Sequence, residues 1–367
     1  MAAAGLGYNA ASPQPGAETP IHIDPKPETS VPERLEQITA WLKSEPGFAD
    51  VDIRPASADA SFRRYFRART AAASYIVMDA PPDKEDMGPF LKVDALLLDI
   101  GLNVPQVLRT DVERGFYLLS DLGDQHYLQA LNVDSVQRLY GDALGALLVI
   151  QAQGPQTGEL PPYDRPMLLR EMELFREWLI GRHLGMNLWA AQTALLDRSF
   201  ELLAQSALEQ PQVCVHRDYH SRNLMVVPRN NPGILDFQDA VIGPVTYDLV
   251  SLLRDCYIAW PRAQVEAWAL GYYELALQSG VLRPDQVDEK RFLKWFDWMG
   301  VQRHLKAAGI FARLHRRDGK PGYLGDIPRT LGYVVDVAKR YPDLEGLGRL
   351  AQDVIAHPHL LSAAATA

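Results

Sequence analysis

The chain is poor in cysteine: Cys214 and Cys256 are the only two in 367 residues. The apolar neighbours of both thiols suit reduced core positions in a cytoplasmic protein better than a disulfide framework, with a single Cys214–Cys256 bridge as the alternative. No stretch supplies the roughly 18 uninterrupted apolar residues of a membrane helix. The opening MAAAGLGYNAASPQPGAETP has neither the positive start nor the apolar centre of a secretory signal, so cytoplasmic localisation is expected. An excess of positive charge is also missing. With a net charge of −9 and a pI near 5.5 there is no global field to draw in nucleic acid or an acidic membrane, and neither is an expected partner. No fixed-period repeat and no obligate protein partner are evident.

What is present is ordinary globular material, 47% hydrophobic and 23% charged, in a chain long enough that one core gives way to two lobes. Residues 1–30, rich in Ala, Gly, Pro and Ser, read as a disordered leader. VPERLEQITAWLKSE places Leu35, Ile38, Trp41 and Leu42 at helical spacing. VDIRP, SFRRYFRAR and SYIVMDA then read as an antiparallel meander, GPFLKVDALLLDIG as a helix stopped by Gly101, and VPQVL and GFYLLSDLG as two further strands. From about Val133 the pattern is helical: 134–153, 167–185, 190–210, 246–260, 263–280 and 287–314 are long amphipathic segments. The expected class is α+β, with a small antiparallel-sheet N-lobe over 31–123 and a larger, mostly helical C-lobe over 124–367.

VCVHRDYHSRNLMVV, 213–227, breaks the helical region with two short β-type runs around a polar loop. His216, Asp218 and Asn223 stand as H-x-D-x-x-x-x-N, and thirteen residues later Asp236 ends the apolar run of ILDFQDA. That is the spacing of a kinase catalytic loop followed by its metal-binding aspartate. Phosphoryl transfer from ATP asks mainly for an aligned acceptor hydroxyl and for cations on the phosphate oxygens. A carboxylate at Asp218 accepts the acceptor proton, while the oxygens of Asn223 and Asp236 suit Mg²⁺, a hard cation that bridges ATP phosphates.

On these residues the chain, from about residue 31 onward, resembles the aminoglycoside phosphotransferase superfamily, a two-lobed protein-kinase-like fold. The blocks VCVHRDYHSRNLM, GILDFQDAVIGPVTYDLVSLLRD and QRHLKAAGIFARLHRRDGKPGYLGDIPR are more narrowly similar to bacterial anomeric sugar kinases. Those enzymes phosphorylate N-acetylmuramate and N-acetylglucosamine at C1 during peptidoglycan recycling in the cell wall. The resemblance implies an ATP- and Mg²⁺-dependent sugar 1-kinase with Asp218 as catalytic base and Asn223 and Asp236 as metal ligands. It further implies that the buried Asp248 of TYDLVSLL and His216 support the catalytic loop. His220 takes no assigned role.

The pattern departs from kinase relatives in two places. SYIVMDAPPDKED puts Met78 and Asp79 where a third-strand lysine is expected, so another cation must meet the ATP phosphates; Arg64, Arg67 and Lys84 are the candidates, with exposed strand decoration as the alternative for each. No G-x-G-x-x-G occurs, and PASADASF, including Ser61, is expected to make the phosphate-covering turn. Ser120, Asp121 and Leu122 of LLSDLG are the candidate hinge for adenine.

For the acceptor, LLREMELFREWLIGRH offers Glu173, Glu177, Trp178 and Arg182, and KWFDWMGVQRHLKAAG offers Trp295, Asp297, Gln302, Arg303 and Lys306. Glu173, Asp297, Arg303 and Lys306 are the expected substrate-binding residues, Asp297 and Arg303 foremost. The alternatives are another small-molecule kinase of the same fold, acting on an aminoglycoside, choline or homoserine, or a nucleotide-binding pseudokinase. A basic acceptor segment favours a neutral or acidic acceptor over a cationic one.

Overall fold

The computed structural model describes residues 31–58, 62–155 and 158–362. The expected leader, 1–30, and Ser61 of the expected phosphate-covering turn lie outside them. Up to Val51 the chain is a unit of its own, whose helix α1 (Val31–Lys43) buries Ile38, Trp41 and Leu42 at i, i+3 and i+4.

From Asp52 onward a second unit begins with β1 (Asp52–Ala58), β2 (Arg64–Arg69) and β3 (Ser74–Asp79), followed by α2 (Gly88–Asp99), β4 (Val107–Asp111) and β5 (Phe116–Ser120). The five strands form one antiparallel sheet in the order β1-β2-β3-β5-β4, so the last strand, β5, inserts beside β3. Register opposes Tyr65 to Met78 and Met78 to Tyr117. Strand alternation puts these side chains on one face, where Met78, Tyr117 and Leu119 share a core with Phe90, Val93 and Leu97 of α2. Arg64 and Asp79 oppose one another on the other face.

The remainder is α3 (Tyr127–Ala130), α4 (Val136–Gln153), α5 (Arg165–Leu174), a π-helix (Phe175–His183) and α6 (Ala190–Leu208). Two small antiparallel ladders follow, β6 (Gln212–Val215) with β9 (Val241–Pro244) and β7 (Leu224–Met225) with β8 (Gly233–Ile234). Helices α7 (Tyr247–Leu253), α8 (Arg262–Gln278), α9 (Glu289–Asp318), α10 (Ile327–Ala338) and α11 (Glu345–Ile355) complete it. Sheet first and helices after is the expected α+β, kinase-like arrangement. Among the described residues no helix is long and apolar enough to cross a membrane.

The 30-residue α9 is the axis of the helical part. Asp288 caps it by accepting the Arg291 N–H at 2.7 Å, and Gly319 stops it in the left-handed conformation at φ 64°. Its middle, from Trp295 to Leu305, is buried on every side by α5, α6, α7 and the π-helix. Three expectations shift here. The helix read over 167–185 changes to π geometry at Phe175. The helix read over 246–260 ends at Leu253, because Arg254 leaves helical backbone (φ −123°, ψ 52°) with its side chain paired to Asp297 of α9. Helices α10 and α11 lie beyond the segments read as helical.

The contact between α9 and α5 has no spare room. A Cβ on Gly309 would stand 2.3 Å from the Leu174 carbonyl carbon and 2.5 Å from the Phe175 nitrogen, and backbone cannot swing aside as a side chain can. Gly309→Ala is therefore expected to cost about 1–3 kcal/mol or more, read as a lower urea midpoint with unchanged slope.

Candidate active site

The site is built on a turn that L-residues resist. As β6 ends, Arg217 takes φ 77°, a left-handed conformation that costs a non-glycine residue about 1 kcal/mol or more. Asp248, in the first turn of α7 and 0% exposed, holds it: its two carboxylate oxygens accept the N–H groups of His216 at 2.6 Å and Arg217 at 3.0 Å. Burial pushes the Asp248 carboxyl up to about 7, and those two donors oppose the rise. The His216 ring accepts the Asp218 N–H through Nδ1 at 3.2 Å, and burial drops its pKa to about 4, so the imidazole is neutral at physiological pH.

Asn223 ties the loop to the second segment. Its Nδ2 donates to the Asp218 carbonyl at 3.0 Å and to Asp236 Oδ2 at 3.2 Å. The β7–β8 ladder brings the two segments together, with Leu235 N–H donating to Asn223 O at 2.9 Å. Asp236 also has left-handed backbone, φ 65°, and Gln238 Nε2 donates to its Oδ1 at 2.7 Å. Phe237, fully buried, stacks on Phe90 of α2 with ring centroids 5.1 Å apart.

Beside Asp218 a cavity, partly open to solvent, is walled by His220, Tyr247, Asp255, Tyr257, Arg303 and Lys306 among others. Burial alone would raise the Asp218 carboxyl, but the charges of Lys306, His220, Arg303 and Arg217 outweigh it, leaving Asp218 below its ordinary value and ionised. Lys306 keeps its proton: burial pulls it down, while Tyr247 and Glu171 raise it further. Glu171 of α5 organises the cations. Its Oε1 meets Arg217 Nη2 at 2.5 Å and Lys306 Nζ at 3.0 Å, and Tyr163 donates its hydroxyl hydrogen to Oε2. Arg303 is 6% exposed; its Nη1 donates to Cys256 Sγ at 3.9 Å, and its Nε finds no hydrogen-bond partner among the described residues.

The model of the phosphotransferase enzyme family matches residues 52–286, the span that carries the sheet, the catalytic-type loop and α7. The chain belongs to that family. An N-acetylmuramate/N-acetylglucosamine kinase of Pseudomonas putida is 47% identical to this phosphotransferase over 331 residues, 88% of this chain and 96% of the relative. A kinase of the same name from Neisseria meningitidis is 44% identical over 333 residues, 89% of this chain and 98% of the relative. Among solved structures, a choline kinase of Streptococcus pneumoniae superposes with a TM-score of 0.57 at 14% identity, covering 82% of this chain and 98% of its own. An ADP-bound aminoglycoside phosphotransferase, APH(2'')-Ib, does so at 0.54 and 14%, covering 82% and 97%. These two share the fold.

In the phosphotransferase, Asp218, Asn223, Asp236, His216 and Asp248 converge as one hydrogen-bonded cluster, and Arg303 and Lys306 share the cavity with Asp218. Two expected acceptor residues do not reach it. Glu173 has a side chain 44% exposed and paired with Arg176 at 3.3 Å, because it lies about 200° around α5 from Glu171, which is the buried one. Asp297 is 1% exposed and consumed by Arg254 at 2.7 Å, Arg262 at 2.9 Å and the Tyr341 hydroxyl at 3.0 Å, which makes it a tie between helices. Arg64 points away from the α2 face and pairs with the fully buried Asp79 at 2.8 Å. Arg67 reaches the candidate hinge, donating to Gly123 O at 2.6 Å and pairing with Asp121 at 2.8 Å. Asp121 also takes Ser74 Oγ–H at 2.5 Å, Ser120 bonds Gln106, and Leu122 packs near Gly233. Lys84 sits 5.3 Å from the Phe62 ring centroid.

Glu171, Tyr163, Asp255 and Tyr257 escaped the sequence reading. Asp255, just past the end of α7, accepts both the N–H and the hydroxyl hydrogen of Ser221. Replacing Asp248 by Asn keeps the shape but swaps one acceptor for a donor facing a backbone N–H. The expected loss is about 2–4 kcal/mol of unfolding free energy by urea titration, with phosphotransferase activity falling even in the folded fraction.

Proposed function

We propose that the protein is a cytoplasmic, MgATP-dependent kinase that transfers the γ-phosphate to the C1 hydroxyl of N-acetylmuramate and N-acetylglucosamine, producing sugar 1-phosphates. The supporting observation is the cavity itself, where an ionised Asp218 is accompanied by two buried cations, Arg303 and Lys306. The names of relatives 44–47% identical over nearly their whole length supply the acceptor. In this reading residues 31–123 form the nucleotide lobe and 124–367 the lobe that carries the catalytic loop and the sugar site.

Asp218 accepts the proton of the C1 hydroxyl as the new bond forms between that oxygen and the γ-phosphorus and the bond to the β–γ bridging oxygen breaks. A hemiacetal hydroxyl is more acidic than a simple alcohol, so a carboxylate below its ordinary pKa still serves as base. The pair Asn223 and Asp236 fits Mg²⁺ in the chemistry of its donors, an amide oxygen and a carboxylate. When bound, Mg²⁺ neutralises charge on the phosphate oxygens. His216 and Asp248 hold Asp218 in place.

N-acetylmuramate carries a lactyl carboxylate that N-acetylglucosamine lacks, and Arg303 is the cation placed to receive it, as a buried guanidinium engaged by a thiol at 3.9 Å rather than by a carboxylate. Choline and aminoglycosides are cations, and a cavity with two buried positive side chains disfavours them.

A coupled ATPase assay with N-acetylmuramate, N-acetylglucosamine, kanamycin, choline and homoserine, with phosphorus NMR of the product, tests the proposal. Turnover of the two amino sugars to anomeric phosphates is expected, and Asp218→Asn should lower kcat by about 10²-fold or more while nucleotide still binds. ATP binding without turnover across the whole panel would sink it. Arg303→Met should lower kcat/KM for N-acetylmuramate about tenfold more than for N-acetylglucosamine; equal losses would remove Arg303 from acceptor selection.

A further inference from the structure

We infer that Arg63, immediately before β2, is the side chain that supplies positive charge to the nucleotide phosphates, and that Glu85 holds it there. The inference rests on the proposed reading of the Asn223–Asp236 corner as the metal and triphosphate site.

Strand β3, SYIVMD, carries no cation, and its face toward α2 presents Ile76 and the fully buried Met78. The neighbouring cations are committed elsewhere: Arg64 to Asp79 on the opposite face, Arg67 to Asp121 and the Gly123 carbonyl. Alternation along β2 puts Arg63 on the same side as Tyr65, which opposes Met78. Its side chain is 9% exposed, an environment costly for a guanidinium unless carboxylates accompany it.

Two carboxylates do. Arg63 Nη2 lies 4.0 Å from Asp236 Oδ1, and Arg63 Nε lies 3.9 Å from Glu85 Oε2. Glu85 also anchors the approach to the strand, since its Oε1 accepts the Phe62 N–H at 3.1 Å. Both arginine contacts are within ion-pair range yet about 1 Å longer than a charge-assisted hydrogen bond. The guanidinium is thus steered toward the Asp236 carboxylate without closing a direct hydrogen bond to it. If Asp236 held a divalent cation, Arg63 beside it would be the side chain to meet the phosphates from the sheet side, and its planar fork would match two phosphate oxygens where a lysine would offer a point charge. Glu85 then does for an arginine ahead of β2 what a carboxylate does for any buried cation: it sets the direction and offsets desolvation.

Isothermal titration calorimetry of the full chain with MgATP, MgADP and adenosine, without sugar, tests this. For Arg63→Met, MgATP and MgADP affinity should fall about 10- to 100-fold while adenosine binding stays within about twofold of the unaltered protein. Arg63→Lys should recover part of the loss, and Arg69→Met, which removes an exposed arginine from the same strand, should bind as the unaltered protein does. A folded Arg63→Met protein that binds MgATP within twofold overturns the inference. Should that variant fail to fold, Glu85→Gln carries the test: weakened MgATP with unchanged adenosine supports it, and unchanged MgATP overturns it. An unaltered protein that binds no nucleotide overturns the proposed function along with it, which separates the two failures.

Discussion

Everything chemical in this molecule hangs on one carboxylate gripping two consecutive backbone N–H groups. Asp248 stabilises a left-handed Arg217 that would otherwise relax, and the turn so made does two things at once. It aims Asp218 into the cavity and sends the Arg217 side chain the other way, onto Glu171. Because Glu171 also binds Lys306, the backbone turn, helix α5 and helix α9 are joined through a single buried negative charge. Breaking one such partner leaves the others uncompensated in a low-dielectric interior, so the network is cooperative in failure.

The electrostatics of the cleft follow from that wiring. An acidic protein of net charge −9 places Arg303, Lys306 and Arg217 around one ionised aspartate. Those cations depress the carboxyl against the opposing effect of burial, which keeps it ionised at neutral pH. At the other edge, Asp236 meets Arg63 and Asn223. In the proposed reading, both ends of the phosphoryl transfer face charges of the sign they need.

The convergence of His216, Asp218, Asn223 and Asp236 was legible in the sequence because it is local: the first three sit on one loop, and the β7–β8 ladder folds Asp236 back beside it. The sheet-then-helix order was legible from periodicity. What was not legible depends on which way a neighbour points. Glu171 and Glu173 differ by two residues and by opposite sides of α5; Arg63 and Arg64 differ by one residue and by opposite faces of a strand, a choice made by pairing register with β3. Asp297 looked like a ligand because it stands in an aromatic and charged block. Its real partners, Arg254 and Arg262, come from more than 30 residues away, beyond the reach of any local pattern. The π geometry from Phe175 falls where Gly309 brings α9 against the α5 backbone, again a tertiary event.

The stacking of Phe237 on Phe90 ties α2 to what the proposed reading makes the phosphate corner. Asp236 is one peptide away from a ring packed against that helix, so the position of its carboxylate is tied to that of α2. The solvent side of α2, which includes Lys92 and Asp99, touches neither substrate in the proposed reading. In that reading a substitution there reaches the phosphate corner only through the packing of α2.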